Sequence, residues 1–323
     1  MINIQSLCEQ VLQGRLISRQ EAAALYGQPL EELCAAADRI RRYFCGNRFD
    51  LCAIINAKSG QCPENCSFCA QSAHYRTGAE EYPLLSAQAI AEQAERHDEQ
   101  GVLRYSMVTS GRRLTEQELD VVCRAADRIR KTTRMAVCVS VGLLDGEQYR
   151  RLKNAGVTRV HNNLETSRRF FPSICTTHTF NDKVSAIRAA QDAGLTVCSG
   201  GIMGLGETPE DRIDMALTLR GLGIKSVPVN MLNPIPGTPL EQNARLSAAD
   251  IRRIAAVYRF ILPDADIRLA GGRGLLPDKG KSCFVSGANA AISGDMLTTA
   301  GITVETDMKM LRELGYEVWH CNE

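Results

Sequence analysis

CAIINAKSGQCPENCSFC, residues 52–69, joins an apolar, β-branched run to three cysteines at positions 62, 66 and 69. The first part, residues 52–57, has the composition of a strand. The second part, spaced C-x3-C-x2-C, has the composition of a metal loop, since clustered thiolates bind iron–sulfur clusters and zinc. A strand carrying ligands just beyond its C-terminal end suits a parallel α/β fold, whose active sites lie at that end of the strands.

Outward from this stretch the same punctuation recurs. Apolar, β-branched runs lie at 102–109, 135–141, 157–164, 195–199, 226–232, 266–270 and 288–293. Amphipathic helical segments fall between them at 86–99, 115–131, 181–193, 209–222 and 247–260. Asn154-Ala155-Gly156 and Asp192-Ala193-Gly194 read as helix stops placed just before the next strand. About eight strand–helix units in roughly 250 residues is the size of a (β/α)8 TIM-type barrel. A doubly wound open sheet is the competing architecture. Residues 1–48 read as an N-terminal helical extension with a break at Gly27–Pro29, and 49–323 as the barrel domain.

Composition narrows the function classes. The 323 residues carry a formal net charge of +1 without a basic or acidic block, which disfavours nucleic acid and membrane surfaces as partners. No apolar run approaches the roughly 20 residues of a membrane span, and the N-terminus lacks the uninterrupted apolar core of a secretory signal. The expectation is a cytoplasmic protein. Thirteen cysteines in such a chain point to metal or catalytic use rather than to a disulfide framework. Cys8, Cys34, Cys45, Cys123 and Cys321 have no metal spacing and read as small packing residues.

Ligand count gives the loop its chemistry. A cubane iron–sulfur cluster usually takes four thiolates. Cys62, Cys66 and Cys69 supply three, leaving one iron open to a substrate, as catalytic metal sites do. The bland alternative is a structural zinc site with His74 as fourth ligand. Polar residues also fall at or near the strand ends: Ser106, Thr109, Cys138, Ser140, Asn163, Glu165, Cys198, Asn230 and Arg268. A polar side chain pointing into a barrel costs desolvation energy unless it meets a partner or ligand, so several together suggest a lined cavity.

The cysteine spacing, with Phe68 before the last cysteine, resembles that of the radical S-adenosylmethionine superfamily. The runs CPENCSFCAQSAHY, HNNLETS, VCSGGIMGLGET, SVPVNMLNPIPGTPL, IRLAGGR and CFVSGANA are similar to those of the biotin synthase family, in the same order. The resemblance implies that S-adenosylmethionine chelates the open iron of a 4Fe-4S cluster, and that reductive cleavage yields a radical able to attack unactivated C–H bonds. It implies dethiobiotin as substrate and an auxiliary iron–sulfur cluster, 2Fe-2S or a variant, as sulfur donor.

The family's auxiliary ligands are three cysteines and one arginine. The resemblance puts Cys138, Cys198 and Arg268 at three of these positions. Read alone, Arg268 is an anion clamp or a buried ion-pair partner. Ser106 stands at the fourth position, and its hydroxyl is a harder, poorer ligand than thiolate. Cys175, shortly after the fourth strand, is expected to supply the missing thiolate or to be a buried small residue. The resemblance further places Tyr75, Asn163, Glu165, Gly201, Ile202, Gly204 and Glu207 around S-adenosylmethionine, and Asn163 and Asn230 around the ureido ring of the substrate. Asn230 also suits a strand-end turn. A flavodoxin or ferredoxin electron donor, iron–sulfur assembly proteins and a homodimer are implied partners. The rival readings are a hydrogenase-cofactor maturase, a methylornithine synthase, and a non-catalytic iron–sulfur or zinc scaffold.

Overall fold

The computed structural model describes residues 2–319, so Cys321 lies outside the described part. Ten strands form in chain order: β1 (Arg48–Lys58), β2 (Arg104–Thr109), β3 (Ala136–Ser140), β4 (Val157–His161), β5 (Thr196–Cys198), β6 (Gly201–Met203), β7 (Ser226–Met231), β8 (Asp266–Leu269), β9 (Ala290–Ser293) and β10 (Glu317–Val318). All pair in parallel from β1 through β5 to β7, β8 and β9, and β9 pairs back with β1. The ring is closed, which makes the fold a (β/α)8 barrel and excludes the open sheet. β5 and β6 share one barrel position, since both pair with β7. Between them the chain presses against β7 so closely that a Cβ at Gly200 would stand 1.9 Å from the Pro228 carbonyl oxygen. β10 adds to the start of β1 outside the ring.

Among the described residues, eleven α-helices accompany the strands. α1 (Ile4–Leu12), α2 (Arg19–Tyr26) and α3 (Leu30–Cys45) precede the barrel. α3 packs on α9 (Ala248–Ile261), and α2 on α8 (Pro209–Gly221) and α9. α4 (Ala87–Glu99), α5 (Glu116–Thr132), α6 (Gly146–Asn154) and α7 (Phe180–Asp192) cover the first half of the barrel; α10 (Lys281–Phe284) and α11 (Val304–Glu313) complete the second. Helix starts follow local capping chemistry: Thr115 with Glu118 and Ser247 with Asp250 form reciprocal capping boxes. The periodicity alone does not reveal α6, which is short and strongly polar; its stop signal at 154–156 does, with Gly156 in a left-handed conformation at φ +100°.

The barrel interior carries charge. Asp50 on β1 faces Arg104 on β2 (3.3 Å), Arg159 on β4 (3.5 Å) and Arg268 on β8 (2.8 Å), all four side chains at most 2% exposed. Arg268 is therefore a buried ion-pair partner, and its Nη1 also donates to the Asp50 and Ala291 carbonyls. Burial opposes ionisation of Asp50, but the charges of Arg268, Arg104 and Arg159 outweigh it and hold the carboxyl well below its usual range. Its contribution to stability is thus present above the unfolded-state pKa of about 3.9 and fades only as pH falls through the lower native value. Removing one partner of such a network leaves buried charge uncompensated. Asp50→Asn is expected to lower the stability of the metal-free protein by about 3–5 kcal/mol, read from denaturant unfolding.

Candidate active site

The ligand loop is built by backbone bonds. The Cys62 N–H donates to the Gln71 carbonyl (3.0 Å), Ala73 to the Cys62 carbonyl (2.8 Å), and Cys69 to the Cys66 carbonyl (3.0 Å). Ser72 Oγ donates to the Glu64 carbonyl at 2.7 Å. This small knot hangs from the C-terminal end of β1 and holds three half-buried thiols, none in a disulfide. A second segment braces it from outside. Asn65 Oδ1 accepts from the Thr176 N–H (2.9 Å), Ser67 N–H donates to the Ile174 carbonyl (2.8 Å), and Glu64 bonds His178 and Thr177.

That brace decides the place of Cys175. Its sulfur lies 3.7 Å from the Cys66 sulfur and 3.3 Å from His178 Nδ1, and its other polar neighbours are Asn65 and Thr177. None is on a barrel strand. Cys175 is read from sequence as an auxiliary ligand or a buried small residue; here the loop after β4 folds back over the ligand loop and buries it beside Cys66. Hydrogen bonding from Cys66 and His178 outweighs burial and moves the Cys175 thiol down. Among the described residues, Cys66, Cys175 and His178 bring ligand atoms within 4.8 Å of one another, the spacing of a single ion. Within the ligand loop, Cys69 is near enough to act electrostatically on Cys66, and Cys62 on Cys69. His74 is exposed with its Nε2 against the Pro63 carbonyl at 3.0 Å, so it is not the fourth ligand of a zinc site.

Two connected cavities fill the barrel mouth. The outer, of about 310 Å³, is lined by Cys69, Ile202, Asn163, Glu165 and Asn230. The inner, of about 200 Å³, shares Asn163, Glu165 and Asn230 and reaches down to Ser106, His161 and Ile54. The third ligand cysteine therefore opens on the same space as the polar strand ends. Asn230 bridges two backbones, donating to the Gly201 carbonyl (3.1 Å) and accepting from the Gly271 N–H (2.9 Å). It ties strand ends and also lines the cavity. Asn163 Oδ1 accepts from the Gly200 N–H at 3.2 Å.

Glu165 sits in a left-handed conformation, φ +67°, with Oε2 lacking a protein partner. Burial pushes its carboxyl up, while Lys183 and His178 pull it down. Ser106 Oγ, His161 Nε2 and Arg268 Nε are likewise buried without a partner among the described residues. Such orphaned groups are the mark of an interior arranged around something other than protein. Beneath the inner cavity, Cys138 and Cys198 are fully buried. Arg104 Nη1 approaches Cys138 Sγ at 3.8 Å, and Ser226 Oγ donates to Cys198 Sγ at 3.2 Å. Burial raises the Cys138 thiol, but Arg104 and His161 outweigh it and bring it below its ordinary value.

Other expected contacts move. Tyr75 gives its hydroxyl to the Asn65 carbonyl at 2.6 Å and lines neither cavity. Glu207 accepts from the Gly204 N–H (2.9 Å) and Arg212 (2.7 Å), so its buried carboxylate shapes the turn after β6 instead of facing the cavity. A Cβ at Gly201 would meet the Glu165 carbonyl at 2.2 Å, which makes this glycine a strand-packing device. Gly204, at φ +99°, keeps the same turn. Sequence reading missed Lys183, the Met296–Leu297 cap over the inner cavity, and the Asp50, Arg104 and Arg159 charges below it. Arginines inside apolar strand runs were an available signal; nothing in the sequence announced Lys183.

The family model of the Radical SAM superfamily matches residues 58–219, and that of the Biotin and Thiamin Synthesis associated domain matches residues 228–317. The chain is 60% identical over 317 residues to a biotin synthase of Brachyspira hyodysenteriae, covering 98% of this chain and 95% of that one. It is 57% identical over 313 residues to a biotin synthase of Akkermansia muciniphila, covering 97% and 98%. Among solved structures, methylornithine synthase superposes with a TM-score of 0.84 at 20% identity, covering 97% of both chains. The FeFe-hydrogenase maturase of Carboxydothermus hydrogenoformans superposes at 0.83 and 17% identity, covering 99% of this chain and 80% of that chain. The last two share the barrel.

Lys183 is a counter-charge to Glu165 across the inner cavity. Lys183→Met is expected to move the Glu165 carboxyl titration further upward, measured by carbon NMR of labelled protein; an unmoved titration would remove Lys183 from the site.

Proposed function

The chain belongs to the biotin synthase family of the radical S-adenosylmethionine superfamily, and from that premise we propose a division of labour within its barrel. The enzyme converts dethiobiotin to biotin by sulfur insertion. The observation that carries the site reading is that Cys69 of the ligand loop shares one cavity with Asn163, Glu165 and Asn230. Cys62, Cys66 and Cys69 would hold the 4Fe-4S cluster, and with three thiolates for four irons they would leave it open to S-adenosylmethionine. When bound, the cluster and S-adenosylmethionine supply a 5′-deoxyadenosyl radical that takes hydrogen from unactivated carbon.

The chain's own residues bind and orient. Ile202 offers an apolar wall to S-adenosylmethionine in the outer cavity. Glu165, with a free carboxylate oxygen, accepts from the ribose hydroxyls, and Asn163 stands beside it. Gly201, Gly204 and Glu207 act on the same ligand indirectly, by fixing the turn that carries Ile202. Tyr75 holds the ligand loop through Asn65. Asn163 and Asn230 bond the ureido ring in the inner cavity, since an amide offers a donor and an acceptor to a urea. Cys138, Cys198 and Arg268 form a floor that would hold the auxiliary iron–sulfur cluster and so supply the sulfur. The orphaned Arg268 Nε and Ser106 Oγ above the arginine network support that assignment. Cys175 and His178 brace the ligand loop through Cys66.

The helices of residues 1–48 are an extension to the barrel domain of 49–323. No described helix is long and apolar enough to cross a membrane, and we assign the protein to the cytoplasm, where a flavodoxin or ferredoxin reduces it and iron–sulfur assembly proteins rebuild the auxiliary cluster. The working form is a homodimer.

Anaerobically reconstituted protein, given S-adenosylmethionine, dethiobiotin and a reductant, is expected to form biotin and 5′-deoxyadenosine. Formation of 5′-deoxyadenosine without biotin would sink the substrate assignment. Asn230→Ala is expected to raise the dethiobiotin KM about tenfold, the equivalent of ~1.4 kcal/mol for a lost pair of hydrogen bonds.

A further inference from the structure

The floor contains one more thiol than the family resemblance assigns. Along β1 the side chains alternate, so Asp50, Cys52 and Ile54 share a face. Asp50 points inward, into the arginine network, and Ile54 lines the inner cavity. Cys52, between them, therefore points into the barrel at the level that separates the two, and it is fully buried.

The register places it beside the other candidates. On one side Cys52 pairs with Arg104 and Ile54 with Ser106; on the other Cys52 pairs with Ile292. Ser106 in turn pairs with Cys138 on β3. Cys52 is thus one strand away from Ser106 and one inward step deeper. Electrostatic reach gives the same picture. Arg268 and Cys138 both act on Cys52, and Arg268 is acted on by Cys52 and Cys198 together. Three thiols on β1, β3 and β5 and one guanidinium on β8 share one buried space.

The donors differ in fitness. Ser106 offers a hydroxyl, a hard oxygen ligand poorly matched to iron in a sulfide cluster; Cys52 offers a soft thiolate. Ser106 Oγ has no partner among the described residues, and the Cys52 sulfur makes only a local contact with the Ala53 carbonyl at 3.4 Å. Cys175, the other thiol available by sequence, belongs to the ligand loop. We propose that Cys52, not Ser106, supplies the third thiolate of the auxiliary iron–sulfur site, together with Cys138 and Cys198 and beside Arg268. The cysteine has moved from the second strand to the first, and the site's centre of gravity moves with it, toward the Asp50 network. This inference rests on the reading of the barrel floor as an auxiliary cluster site.

The test separates the two. A variant with Cys62, Cys66 and Cys69 all changed to Ala removes the loop site and leaves the floor. After anaerobic reconstitution, iron and acid-labile sulfide are counted and the visible and Mössbauer spectra recorded. The background variant is expected to retain floor-bound iron and sulfide. Adding Cys52→Ser should abolish most of it, whereas adding Ser106→Ala or Cys175→Ala should leave it in place. Combining Cys52→Ser with Ser106→Cys should restore iron binding, which a merely misfolded variant cannot do; circular dichroism of each metal-free variant checks the fold. Retention of floor iron by Cys52→Ser, or its loss in Ser106→Ala, overturns the role of Cys52. A background variant that binds no iron overturns the auxiliary-site reading itself, and this inference with it.

Discussion

One carboxylate, Asp50, is the electrostatic anchor of the barrel interior. It meets guanidinium groups from β2, β4 and β8 in a space closed to water, so four strands are tied through a single charged centre. Such a network is costly to bury and costlier to break. Its consequence is positional. With the lower barrel fixed, the inward side chains at and above its level, Cys52, Ser106, Cys138, Cys198 and His161, have defined heights and directions.

Above that level the barrel changes character. The floor is charged and sulfur-rich, the middle is lined by amides and a serine hydroxyl, and the mouth receives the ligand loop through Cys69. Glycines at 200 and 201 contribute by letting β5 and β6 press against β7 and the end of β4. The close approach brings Asn163, Glu165 and Asn230 to one rim. The segment 174–178 does for the ligand loop what the arginines do for the floor: it fixes a flexible, functional element by side-chain hydrogen bonds from a rigid neighbour.

Much of this was legible from local chemistry. Strands, helix caps and stops follow from side-chain period and capping residues, which act within a few positions along the chain. The C-x3-C-x2-C loop was legible for the same reason, since its geometry is closed by bonds inside its own span. For Arg268 residue type allowed an anion clamp or an ion-pair partner, and the buried Asp50 contact shows the second. Glu207 and Tyr75 were harder, because their partners Arg212 and Asn65 compete with a ligand for the same polar atoms, and composition does not say which wins. Lys183 reaches the cavity only because α7 docks with that face inward.

Two cysteines, Cys52 and Cys175, make the division plain. Sequence by itself determined that this chain alternates strands and helices and carries a three-thiolate loop after β1, because those features depend on interactions between near neighbours. Cys52 within an apolar strand looks like any small buried residue, and Cys175 looks like a ligand in search of a cluster. Only the tertiary structure sets Cys52 beside Arg104 on the neighbouring strand and Cys175 against Cys66, because which thiol faces which depends on barrel closure, strand register and the folding-back of a distant loop, and those are settled by contacts between residues far apart in the chain.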